Sequence, residues 1–405
     1  MANQEEQEPT AASAAAPTES AGATAAPAAT PHPAPSPSPS PSSPTRQPEL
    51  IPADDPELPP TNTFNSQSST ASVTASILEY RTIQGRTYHS DRYPTEYFTP
   101  NDEQQLKSVD ITHHYLNLLL GDNLYLAPIP NDVQVRSRFA PSWILTDRAP
   151  NRESLMSVPA PVSGPCMPLP PSPSRLQLTE RSDFADQFPN TEVIGSDLSP
   201  CQPQWVFPNV KFEIHDATLA WTWKDNSFDF VHIRYLFGAI QDWNALFNEA
   251  YRCCAPGGWA QSCEADVHFY SDDGTTESEP VLKTWARLYE EGGKAMGRPF
   301  FLLQDQLQEK GFNEAGFTDI KVVDYKLPVG GWPKNPELAQ VGQFVKLTLE
   351  NDLEAGYTLL LWHNVLNWPK DNYQLFLMGM RKALRNRKIH SYMVVRYVYA
   401  RKPEA

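Results

Sequence analysis

"TEVIGSDLSPCQPQWVFPNVKFEIHDATLAWTWKDNSFDFVHIRYLFGAIQDWNALFNEAYRCCAPGGWAQSCEAD" runs from Thr191 to Asp266. Four apolar runs of strand length stand out in it: "TEVIGSD", "VKFEIHDA", "SFDFVHIRYLFGAI" and "GWAQSCEAD". Between the last two lies "DWNALFNEAYRCCAPGG", whose apolar residues recur at helical spacing and which Pro256-Gly257-Gly258 would close. Continuous apolar strands alternating with helices are buried on both faces, which predicts a mostly parallel sheet with helices on either side.

The pattern continues on both sides. "PVLKTWARLYEEGGKAMG" (280–297) reads as a helix and "LQDQLQEKGFNEAGFTDIKVVDYKLP" (303–328) as helix, turn and strand. A helix near 371–388 and the strand "SYMVVRYVYARK" close the chain. Upstream, 63–134 reads as a helical N-terminal cap. "ASILEYR" (Ala75–Arg81) is a short helix there, and 99–128 holds a longer one. Asn101 or Asp102 can cap the longer helix, with Glu103 and Gln104 in its first turn. Leu106, Val109, His113, Leu116 and Leu120 follow its period. Residues 1–60 carry 15 prolines and no aromatic residue, so a tail over 1–62 has nothing to form a core and is expected to be disordered.

Composition narrows the chemistry. A net charge of −15 argues against direct attachment to nucleic acid, which needs a basic face. The one basic run, "RKALRNRK" (Arg381–Lys388), reads as a solvated helix face. Cysteines 166, 201, 253, 254 and 263 form no CxxC pair, so no metal site is expected and a reducing interior suits them. No apolar run reaches the roughly 18 residues of a membrane span, and the start lacks the order of a signal peptide. A nuclear or cytoplasmic protein without a membrane partner is expected.

In doubly wound sheets, ligands sit beyond the carboxyl ends of the strands. Asp197, followed by Leu198, ends one strand where an acid would accept hydrogen bonds from ribose hydroxyls; as an alternative it caps the next helix. Asp216-Ala217 ends the next strand. An acid there can bond an adenine amino group while the small alanine admits the ring, or it can be a plain turn residue. Tyr97, His113, His232 and Arg234 are candidates for the side of a second substrate, although His113 and His114 also read as packing or surface residues. Glu264 ends the "WAQSCEAD" strand at the same edge, or caps a turn there.

Taken together, Thr191–Asp266 resembles the S-adenosyl-L-methionine (AdoMet)-dependent methyltransferases of the seven-stranded, Rossmann-like class. Within that class it is similar to the fungal regulators of secondary metabolism of the LaeA type. The similarity extends to "SSTASVTASILEYRTIQGRTYH", "PNDEQQLKSVDITHHYLNLLLGDNLYLAPI" and "GFTDIKVVDYKLPVGGWPKNPELAQVG". The resemblance implies a methyltransferase core over 183–402, with AdoMet as cofactor. It implies that Asp197 meets the ribose, Asp216 and Ala217 meet the adenine, and "HIRYL" (His232 to Leu236) flanks the methionine and the acceptor. The acceptor itself, protein or small molecule, is left open, as is a regulatory protein complex. A non-catalytic interaction protein on the same fold is the alternative. An NAD-dependent oxidoreductase fits less well, because "DATLAW" suits a methyltransferase adenine pocket.

The family also calls for a first strand and glycine loop, VLDxGxGTGxW, directly before "DFADQFP". Residues 135–182 hold nine prolines and a single glycine in that place. Synonymous codons for "RESLMSVPAPVSGPCM" (Arg152–Met167), read from the third base of the first codon, spell RVLDVGAGTGLWA. Val135-Arg136 and Cys166-Met167 admit intron donors, and Asn151-Arg152 and Arg181-Ser182 admit acceptors. The insert is therefore expected to be translated introns around a frame-shifted exon. The sheet should lack a central strand, and the chain as written should hold AdoMet poorly.

Overall fold

The computed structural model describes residues 80–89, 97–129, 137–138, 143–147, 179–199 and 208–404. The tail 1–62, Cys166, Cys201 and most of the insert 135–182 lie outside these residues. The described part opens with a hairpin, β1 (Arg81–Ile83) against β2 (Arg86–Tyr88). Gln84 and Gly85 turn it with φ of 50° and 82°, the left-handed pair that a two-residue hairpin loop requires. The helix expected over Ala75–Arg81 is thereby corrected at its end, where Arg81 starts a strand. The remainder of that segment, up to Glu79, is not among the described residues.

Helix α1 (Glu103–Leu119) forms as its sequence predicts, with Asp102 and not Asn101 as the cap; the Asp102 carboxylate accepts from the Gln105 backbone N–H. His113, Leu116 and Leu120 are buried, whereas Leu106 and Val109 are half-buried and border a cavity.

The main sheet has the order β6 (Val210–Ile214), β5 (Val193–Asp197), β4 (Trp143–Asp147), β7 (Phe228–Arg234), β8 (Cys254–Ala265), β10 (Tyr392–Arg401) and β9 (Thr318–Pro328). A two-residue strand, β3 (Ser137–Arg138), also pairs with β5. β5 and β6 are parallel, as are β7 and β8, and β10 runs antiparallel to both its neighbours. Helices α2 (Thr179–Gln187), α3 (Trp243–Cys253), α4 (Pro280–Met296), α5 (Leu302–Asp305), α6 (Leu307–Ala315), α7 (Pro336–Asp352) and α8 (Lys370–Arg385) complete the mixed α/β fold.

The central slot between β5 and β7 is occupied, contrary to the expectation of a missing strand. β4 fills it, running antiparallel to both neighbours. Two flanking strands buried in a sheet leave rows of N–H and C=O groups that need partners, and a reversed strand satisfies them as a parallel one would. A second correction concerns Pro256-Gly257-Gly258. The helix ends at Cys253 and these residues lie inside β8, where the register against β7 shifts. A Cβ on Gly258 would stand 2.8 Å from the Asp229 carbonyl oxygen, so the bulge demands glycine.

Cys253, Cys254 and Cys263 are buried free thiols. No helix among the described residues is long and apolar enough to cross a membrane, and no cluster of metal-ligating side chains occurs among them.

Candidate active site

β5, β6 and β7 end at one edge of the sheet, and a cavity of about 1490 Å³, counting its open mouth, lies beyond them. Asp197, Leu198, Asp216, Ala217 and Arg234 all line it. Its other walls come from the cap (His89, Tyr97–Asn101, Gln105, Leu106, Ser108, Val109, Thr112 and Tyr115) and from the C-terminal region (Leu327, Val345, Thr348, Leu349 and Tyr357). The sheet edge forms one end and the added helices form the other.

Each acid at the sheet edge is set by its own turn. The Ser199 N–H donates to Asp197 Oδ1 at 3.0 Å, and the Thr218 N–H and hydroxyl donate to Asp216 Oδ1 at 2.9 and 2.8 Å. The turn reading of Asp216 is thus realised in the geometry while the residue also lines the cavity. Its loop is braced from behind. The Trp221 N–H donates to Glu249, and Arg252 donates to Glu249 and to the carbonyls of Trp221 and Trp223. Asn101 of the cap donates to the Ser199 hydroxyl at 3.1 Å, tying the roof to the end of β5.

β7 delivers the opposite wall through Tyr235–Phe237. Tyr235 sits at φ 53°, a left-handed conformation that costs a bulky residue on the order of 1–3 kcal/mol and persists only where the surroundings impose it. Its N–H donates to the Cys263 carbonyl at 3.0 Å, and its hydroxyl meets that of Tyr115 at 3.2 Å. Glu264, wholly buried beneath this segment, accepts the N–H groups of Leu236 and Phe237, each at 3.0 Å. Gly238 follows at φ 71°, and the Phe300 ring leaves no room there for a Cβ.

Burial pushes the Glu264 carboxyl up to about 8, outweighing those two hydrogen bonds. A folded-state value above the unfolded value of about 4.3 means that the native protein binds the extra proton. The stability contribution is complete below the unfolded value and is lost as pH rises through the folded one. Thermal unfolding followed across pH 5 to 8 should therefore show Tm falling as pH rises, and Glu264→Gln should flatten that fall. Equal slopes in the two proteins would remove Glu264 from this role.

Not every candidate reaches the cavity. His232 lies two residues back along β7, fully enclosed, with Gln261 Nε2 3.0 Å from its Nδ1; burial lowers its pKa well below the usual histidine value. Gln261 Oε1 in turn accepts from the backbone of Leu126 and Ala127, so this histidine belongs to the packing behind the site. His113 is also outside the lining. It lies 3.4 Å from Arg234 Nη1 and 3.2 Å from Asp183, and so acts behind Arg234. His114 packs edge-on against Phe344. Tyr97 does line the cavity. His89, Gln105, Tyr115, Tyr235 and Tyr357 are wall residues for which the sequence offered no individual signal, and α7 contributes Val345, Thr348 and Leu349 without any expectation having been drawn for it.

Known proteins are similar to this chain in sequence. A family model described as a methyltransferase domain matches residues 182–322. The methyltransferase pytC of Aspergillus terreus is 27% identical over 341 residues, spanning 84% of this chain and 93% of that protein. The secondary metabolism regulator LAE1 of Cochliobolus heterostrophus is 27% identical over 323 residues, 79% of this chain and 94% of its own. The probable methyltransferase tdiE of Emericella nidulans is 32% identical over 222 residues, 55% of this chain and 68% of its own. The chain belongs to the methyltransferases, and regulators of the LaeA type are among its relatives.

Proposed function

We propose that the cavity holds AdoMet with its ribose against Asp197 and its adenine between Asp216 and Ala217, and that the chain transfers the methyl group to an acceptor at the cap end. The observation that carries this reading is the convergence of two carboxylates, from the ends of neighbouring parallel strands, on one cavity beside a small residue. Leu198 and Arg234 border the same space. These residues fit the ribose and adenine half of the cofactor. For the methionine half, residues 135–182 offer only Gly164 in place of a glycine loop, so the chain as written should hold the cofactor weakly. The form that carries RVLDVGAGTGLWAI there is the competent one.

AdoMet, when bound, supplies an electrophilic methyl group. The protein's part is positioning: the acids fix the nucleoside, while Tyr235, Leu236 and the cap enclose the acceptor and exclude water. In the chain with the restored loop, Asp197→Ala and Asp216→Ala should each weaken S-adenosylhomocysteine binding by about 10-fold or more, since hydrogen bonds to charged groups contribute roughly 1.5–3 kcal/mol. Unchanged affinity in both variants, read by isothermal titration, would overturn the assignment.

By kinship with the secondary metabolism regulator LAE1, the biological role is regulation of secondary metabolism. The lack of a glycine loop in the written chain favours a second reading, a non-catalytic partner built on the same fold. Labelled methyl transfer to candidate proteins and metabolites separates the two.

A further inference from the structure

The hairpin is tied to the sheet edge. The Asn101 N–H donates to the Thr87 carbonyl of β2 at 2.8 Å, and the Asn101 side chain donates to Ser199, just past the end of β5. His89, directly after β2, lines the cavity together with Asp216, and the two are close enough for the Asp216 charge to act on the imidazole. His89 is held at both backbone and ring. Arg81 Nε donates to its carbonyl at 3.1 Å, and its ring packs against that of Tyr97 with centroids 5.5 Å apart.

His89 is 3% exposed, and its Nε2 has no hydrogen-bond partner among the described residues. The ring is bonded to the Tyr97 backbone in the sense that favours the protonated form, so a ring N–H donates to that carbonyl, and the donor must be Nδ1. Burial lowers the pKa of His89 to about 4, with Arg81 and Arg298 acting in the same direction and Asp216 against it. The ring is therefore neutral near pH 7. A neutral imidazole that carries its proton on Nδ1 presents Nε2 as a bare acceptor. Once a ligand fills the cavity, this acceptor either takes a hydrogen bond from the ligand or bears the cost of desolvation. It selects for a donor.

We infer that His89 reads the base of the cofactor, its Nε2 accepting one N–H of the adenine 6-amino group while Asp216 accepts the other. The inference rests on the assignment of Asp216 to the adenine. The amino group is the one part of the base that offers two N–H donors, and the two acceptors use both. A base with a 6-oxo group would set its carbonyl lone pairs against the imidazole nitrogen and the carboxylate together, so the same pair rejects hypoxanthine and guanine. The hairpin thereby becomes part of the cofactor site, with His89 as its specificity-determining residue.

The test is titration of adenosine, and of purine riboside, which lacks the 6-amino group, into the full 405-residue chain. Neither probe carries the methionine part, so the comparison does not depend on a glycine loop. The unaltered chain should prefer adenosine by about 30-fold or more, the combined effect of one charged and one neutral hydrogen bond at about 1.4 kcal/mol per tenfold. His89→Phe keeps a ring, and His89→Asn keeps a donor for the Tyr97 carbonyl. Each should lower the preference by about 3- to 10-fold and leave purine riboside binding unchanged within about twofold. His89→Gln, whose amide oxygen can stand near the place of Nε2, should restore part of it. An unaltered preference in the Phe and Asn variants, or an equal loss for both probes, would overturn the inference. Asp216→Ala separates this failure from that of the cofactor assignment. If it lowers the preference while the His89 variants do not, the assignment stands and the inference falls; if it leaves the preference unchanged, the assignment itself falls. Absence of adenosine binding would overturn both.

Discussion

Replacing residues 135–182 with RVLDVGAGTGLWAI should tighten S-adenosylhomocysteine binding by at least about 100-fold. A glycine loop running into a helix start offers the cofactor backbone N–H groups that no side chain obstructs. Two charge-assisted hydrogen bonds to its carboxylate, each roughly 1.5–3 kcal/mol, amount to a factor of about 100 or more. β4 lies in the right slot but runs backwards: Trp143, its first residue, pairs with Ile233 near the cavity edge, while Asp147 pairs with Phe228 at the far end. The chain thus enters this slot at the cavity edge and leaves it at the opposite one. A parallel strand, "RVLDV", would deliver the glycines that follow it to that edge. Titration of both chains decides the matter. Micromolar binding by the chain as written, or a gain of less than about 10-fold, would contradict it. The mature transcript across 131–185 offers an independent check, since it should encode the glycine loop and not the proline run.

Arg86→Ala should destabilise the protein by about 3–5 kcal/mol, the usual cost of removing one partner of a buried ion pair. Arg86 holds Asp352 through Nη1 at 2.6 Å and Nη2 at 2.9 Å, and holds Asp102 through Nε and Nη2. Asp352, at the end of α7, is 2% exposed, so the variant strands a carboxylate out of water. The same guanidinium joins the hairpin, the cap of α1 and α7, three of the elements that roof the cavity. Asp102 records the contact: although desolvation would raise its pKa, hydrogen bonds from Arg86 and the Gln105 N–H hold it below the ordinary carboxylate value. Chemical denaturation should show the loss in full for Arg86→Ala. The loss should be smaller for Arg86→Met combined with Asp352→Leu, which removes the buried charge as well. A loss under about 1 kcal/mol in the single variant would show that the junction is held by packing alone.

Much of this site could be read from the chain because its decisive residues end continuous apolar runs. "EVIGSD" is a buried strand and "VKFEIHD" runs parallel beside it, and their terminal acids fall at the cavity for that reason. The resemblance names His232 together with Arg234; of the two, Arg234 lines the cavity and His232, two residues back along the strand, is enclosed behind it. The hairpin did carry a local signal, Gln84-Gly85, but its three-residue strands are too short to show alternation. The reversed direction of β4 depends on the hydrogen-bonding needs of β5 and β7, which no local pattern encodes. His89 and Gln105, from the hairpin and from α1, come to the wall of one cavity only in three dimensions.

The most direct test of the cofactor assignment is a crystal structure of the loop-restored chain grown with S-adenosylhomocysteine. The ribose hydroxyls should lie within hydrogen-bond distance of Asp197, with the adenine between Asp216 and Ala217 and the sulfur facing the cap. A ligand bound elsewhere, or a cavity left empty by a chain that binds it in solution, would contradict the account.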